Sequence, residues 1–126
     1  MKKVFVVILI LICIITFSAI RIYKTASLCD KISKLAHIIE DEFAKDEWVS
    51  VQNKISEICE LWEENRLWAC LTLSTKQIDE IEISLQQCLE YSKLGAKADF
   101  IGEFKMFCML IEHLPRQEGI SLEELL

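Results

Sequence analysis

A chain of 126 residues with only three glycines and one proline has too few turn-formers for a sandwich or barrel of short strands, and it favours long helices. Its formal charge of −6 is unevenly spread: all twenty acids follow residue 21, where they face eleven lysines and arginines, so residues 22–126 carry −9. A surface of that sign repels nucleic acid and anionic headgroups, which excludes a nucleic-acid partner and leaves a solvated acidic face.

Val4 to Ile20 is an unbroken apolar run without charge, glycine or proline. At about 1.5 Å per residue it covers roughly 26 Å, enough for a spanning helix. Ile22 and Tyr23 lengthen it if Arg21 snorkels towards the headgroups. A cleaved signal needs small residues one and three positions before the cut. A cut after Ala19 places Phe17 in that pattern, and a cut after Ala26 places Lys24 there. Cys13 follows Leu11 and Ile12, which does not suit lipoprotein processing. The expectation is therefore a retained anchor over residues 1–21, followed by an acidic domain over residues 22–126. The basic flanks are nearly balanced, with Lys2 and Lys3 before the run and Arg21, Lys24, Lys31 and Lys34 after it. Two lysines ahead of the first apolar segment favour an inside N-terminus, a single pass through the cell membrane and an extracytoplasmic domain.

No helix breaker occurs from Lys3 to Ala44. Leu28, Ile32, Leu35, Ile39 and Phe43 recur at steps of four and three, a helical stripe, so one helix is expected to run from the membrane into the domain, with a kink near Ser27 left open. Lys45-Asp46-Glu47 reads as a turn with Asp46 as N-cap. Trp48, Val51, Ile55, Ile58 and Trp62 then form a heptad-like seam, widened by Cys59, Leu61, Trp68 and Leu71. Ser74 and Gln77 read as a capping box for a third helix. Its stripe is Ile78, Ile81, Leu85, Cys88 and Ser92, and Gly95 is its stop. A fourth helix is expected from Ala98 to His113 on Ile101, Phe104, Phe107, Cys108, Ile111 and Leu114. Gly102 suggests a close helix crossing, His113 a partner for the helix C-terminus, and Pro115 the end. Ser121 to Leu126 reads as a separate capped turn. Short connections imply antiparallel neighbours. The expected fold is all-α: an N-terminal transmembrane helix continuous with an up-down bundle of about four helices.

Asp46-Glu47-Trp48, then Trp62, then Trp68, the run Ile78-Asp79-Glu80-Ile81 with Ser84-Leu85, His113-Leu114-Pro115 and the Leu-x-x-Leu-Leu terminus resemble, in order and spacing, the small membrane-anchored proteins of the domain-of-unknown-function family 4363 of Gram-positive bacteria. The similarity covers essentially the whole chain. It implies topology and no established activity. In that family a histidine often precedes the third helix. Here Leu73-Ser74-Thr75-Lys76 stands in its place, so a site built on that histidine is not expected.

The chemistry-bearing residues form no motif. A carboxylate-bridged metal site in a bundle wants Glu-x-x-His on two helices, and neither His37 nor His113 has a glutamate three residues before it. Cys29, Cys59, Cys70, Cys88 and Cys108 show no C-x-x-C spacing and leave an odd thiol, so they read as small buried residues in the reduced state. No catalytic residue, cofactor or metal is expected, and the chain is read as a non-enzyme. Trp48 and Trp62 share the seam, whereas Trp68 lies roughly 120° round the helix at 100° per residue and is the surface candidate. Leu122, Leu125 and Leu126 either cover the open end of the bundle or dock on a partner. Trp68 and these three leucines are the expected docking residues. The expected role is an interaction or accessory module, held in the membrane by residues 4–20, for a membrane or envelope protein. The alternative is a ligand-sensing helical domain, disfavoured because so few residues precede the anchor that no effector domain fits across the membrane.

Overall fold

The computed structural model describes the backbone of residues 1–125 and the side chains of residues 1–114. Four helices make up the chain: α1 (Lys2–Ala44), α2 (Trp48–Thr72), α3 (Thr75–Leu94) and α4 (Lys97–Leu125). Each packs on two neighbours around a ring: α1 on α2 and α4, α3 on α2 and α4. Among the described residues the backbones of the diagonal pairs stay apart. This is the up-down-up-down arrangement that the short connections require.

The 43 residues of α1 form one helix with no interruption at Ser27. Its first half is exposed from Val4 to Phe17. It is long and apolar enough to cross a membrane. The second half buries Leu28, Cys29, Ile32, Ala36 and Ile39. These meet Val51, Ile55, Ile58 and Trp62 of α2, Ile78, Ile81, Leu85 and Cys88 of α3, and Phe100, Phe104, Phe107, Ile111 and Leu114 of α4 in one core. The seam of α2 departs from the expected widening after Trp62. Ala69 and Leu73 are the buried residues there, while Leu71 is exposed. A seven-residue step from Trp62 leads to Ala69, which stays on the seam; Leu71 is two residues further round.

The ends of the helices show how the sequence directs the turns. Gly95, at φ 72°, sits in the left-handed region, and the Ala96 N–H bonds the Tyr91 carbonyl at 3.1 Å. This is a Schellman stop. The turn between α1 and α2 has the same form with an aspartate in the glycine's place. Asp46 has φ 60°, and the Glu47 N–H bonds the Glu42 carbonyl at 2.9 Å. Asp46 is therefore the C-terminal stop of α1 and not the N-cap of α2, a position taken by Glu47 without a side-chain bond. Aspartate is among the few residues that enter this region singly. Its carboxylate accepts from Lys97 Nζ at 2.8 Å, tying the turn to the start of α4. That bond, with the lysine charge, holds the Asp46 carboxyl below its usual range.

Four expectations for α4 are corrected. Gly102 meets nothing within 4 Å of the position a Cβ would take, so no close helix crossing depends on it. The backbone continues through Pro115 to Leu125. Proline forfeits one backbone hydrogen bond, but packing of the stripe through Leu114 has already set the helix axis, and most helical stability in proteins comes from such packing. His113 is therefore interior to the helix and not at its end, and Ser121 does not open a separate turn. An exposed helical glycine with open space around it costs about 1 kcal/mol relative to alanine. Gly102→Ala should accordingly raise the thermal midpoint, and a fall measured by circular dichroism would show that the site is tighter than its surroundings indicate.

Candidate functional site

The two ends of the bundle differ in chemistry. The end far from the apolar run is aromatic. Trp48 meets Phe100 edge-on at 5.4 Å, Phe43 stacks on Phe100 at 6.2 Å, and Phe100 stacks on Phe104 at 5.5 Å. Lys97 Nζ lies 5.7 Å above the Trp48 ring, a favourable cation–π distance. Gln52 Nε2 donates to the Ser92 carbonyl at 2.7 Å and joins α2 to α3 there. Outside this knot Val49 and Leu94 are exposed at 70% and 76%. Neither lies on a helical stripe, so periodicity gave no reason to single them out, although they belong to the segments that flank the two far turns.

At the other end α2 reaches the apolar half of α1. The Trp68 ring lies 6.3 Å from Phe17, and Arg21 Nη1 donates to the Leu71 carbonyl at 3.0 Å. Trp68 is half-buried by this contact. The α2–α3 turn that follows carries a complete capping box. The Ser74 N–H donates to Gln77 Oε1 at 3.0 Å, and the Gln77 N–H donates to Ser74 Oγ at 3.2 Å. The other expected docking residues, Leu122, Leu125 and Leu126, lie outside the described side chains.

Among the described residues no three His, Cys, Asp or Glu side chains are placed to hold a metal ion together. A shallow groove between α1 and α4 is lined by Ser33, His37, Glu40, Cys108 and Glu112 over an apolar floor of Ile32, Phe107 and Ile111. Cys13, Cys59, Cys70, Cys88 and Cys108 are free thiols. Burial pushes Cys59, Cys88 and Cys108 upward, Cys108 to about 12, and the neighbouring Glu103 carboxylate opposes ionisation of Cys88 further. The thiolate is the reactive form, so these three are poor nucleophiles at neutral pH. Cys70 is exposed. Iodoacetamide should modify Cys70 of the folded chain and leave Cys88 intact until denaturant is added. Peptide mass analysis that found Cys88 alkylated first would contradict the packing around it.

The family model described as Domain of unknown function (DUF4363) matches residues 19–125. The match begins within the last turn of the apolar run and covers all four helices of the bundle. No curated protein and no solved structure matches the chain.

Proposed function

We propose that this chain, which belongs to the DUF4363 family of unknown function, is a membrane-tethered interaction module: α1 crosses the cell membrane, and the acidic bundle is presented outside to a protein of the membrane or envelope. The observation that carries the reading is the continuity of α1, whose exposed apolar half runs without a break into the bundle core. An exposed apolar surface of that length is costly in water and favourable in a bilayer. The bundle's described side chains offer contact surface. At the far end Val49 and Leu94 present bare apolar side chains beside the Lys97–Trp48 pair, and on α4 Met106 and Met109 are exposed at 53% and 54%. Methionines at a surface suit adaptable contacts.

Three measurements test this. Alkaline carbonate should leave the full chain in the membrane pellet and release a variant lacking residues 2–20; release of the full chain would end the tether reading. A photo-crosslinking residue placed at Val49 or Leu94 in intact cells should give a discrete heavier product, whereas one at the exposed Lys34 should not. If the far-end positions give no product, the contact reading fails while the tether can still stand. Protease treatment of intact cells reads the orientation: an outward bundle is digested.

A further inference from the structure

The contact between Trp68 and Phe17 places the last turns of α2 beside the last turn of the apolar run. We propose that this end of the bundle, with the α2–α3 turn, is seated in the interfacial layer of the bilayer that α1 crosses, with Trp68 as its aromatic anchor and Leu67 and Leu71 at the acyl boundary. The inference rests on the tether reading above and adds to it a second contact with lipid, made by the bundle itself.

Four observations carry it. The first is continuity. Trp68 packs on Phe17, and next to it Leu67 and Leu71 are exposed at 70% and 43%, so the apolar surface of the run extends sideways onto α2. The second is side-chain type. Tyr23, 71% exposed two residues beyond Arg21, and Trp68 are the residues that favour the boundary between headgroups and acyl chains. The third is charge. Of the twenty acids in the chain, none falls in residues 1–29 or 65–78. The charged side chains there are Lys2, Lys3, Arg21, Lys24, Arg66 and Lys76. The two segments that meet at this end are thus free of acids, which lipid phosphate would repel; of the acids that follow on α3, Asp79 and Glu82 lie beside Arg66, which pairs with Glu82 at 2.7 Å.

The fourth is hydrogen bonding. A turn can enter an apolar layer only if its backbone groups are satisfied within the protein. This one is closed from both sides. Arg21 donates to the Leu71 carbonyl, the Leu73 N–H donates to the Ala69 carbonyl at 2.7 Å, and the Ser74–Gln77 box occupies donors at the start of α3. The turn at the opposite end is built differently. The N-cap of α2 has no side-chain bond, and Asp46 and Lys97 form an exposed ion pair, which suits water.

Tryptophan emission of the full chain reconstituted in phosphatidylcholine vesicles tests the seat. Lipid brominated on the upper acyl chain should quench roughly a third of the emission, the share of one interfacial tryptophan in three, and lipid brominated near the chain ends should quench less. W68F should abolish the quenching. W48F, which alters the far end, should keep it. Emission indifferent to brominated lipid in a chain that resists carbonate overturns the seat and leaves the tether intact. Quenching that persists in W68F overturns it as well. Indifference accompanied by a dimer in native mass measurements would assign this face to a second copy. Carbonate release of the wild-type chain removes both readings together.

Discussion

Trp62→Ala should destabilise the bundle by about 3–5 kcal/mol, the usual cost of truncating a large buried aromatic. Trp62 is 2% exposed at the middle of the α2 seam. The indole also carries a liability, because its Nε1–H is buried and has no partner. An unsatisfied buried donor costs roughly 1–3 kcal/mol. Trp62→Phe removes that donor while keeping most of the apolar ring, so it should cost clearly less than Trp62→Ala. Trp68→Ala, at a half-buried position, should cost less than half as much as Trp62→Ala. Urea melts of the full chain in mild detergent, followed by helical circular dichroism, compare all three. Equal losses at Trp62 and Trp68 would mean that both rings are core and that the seam is wrongly assigned.

Phe104→Ala should be of the same order, about 3–5 kcal/mol. The ring is fully buried on α4. It stacks on Phe100 at 5.5 Å with an interplanar angle of 12° and meets Phe107 at 6.4 Å. Its loss opens a cavity and breaks two ring contacts, each worth a further fraction of a kilocalorie up to about 1.5 kcal/mol. Phe104→Leu retains much of the volume and should recover more than half of the loss. Should Phe104→Ala instead melt within about 1 kcal/mol of wild type, α4 is docked loosely and the core lies in the other three helices.

The helical seams were legible because they depend on residue spacing alone. Val51, Ile55, Ile58 and Trp62 repeat at heptad steps, and each is buried. The Ser74–Gln77 box and Gly95 were legible for a related reason: each is a local device whose hydrogen bonds close within a few residues. Asp46 was misread because the same aspartate suits either side of a helix boundary. Only the fold, by bringing Lys97 fifty-one residues away to its carboxylate, selects the left-handed stop. Pro115 was misread because proline's local penalty is visible in sequence and the packing that overrides it is not. Trp68 was assigned to the surface from its angle on α2. Its contact with Phe17 depends on how far α2 descends along α1, which is set by the three-dimensional register of the hairpin.

The unbroken course of α1 makes the anchor and the bundle one lever. From Arg21 to Ala44 the helix rises about 35 Å, with no hinge to absorb rotation. With α1 in a bilayer, a tilt of about 20° carries the far end of the bundle sideways by about 12 Å. A change in bilayer thickness that alters the tilt is thus transmitted to Val49 and Leu94 as a displacement as large as a helix diameter. On the proposed tether, the reach of the far end over the membrane would thereby be governed by the lipid beneath it.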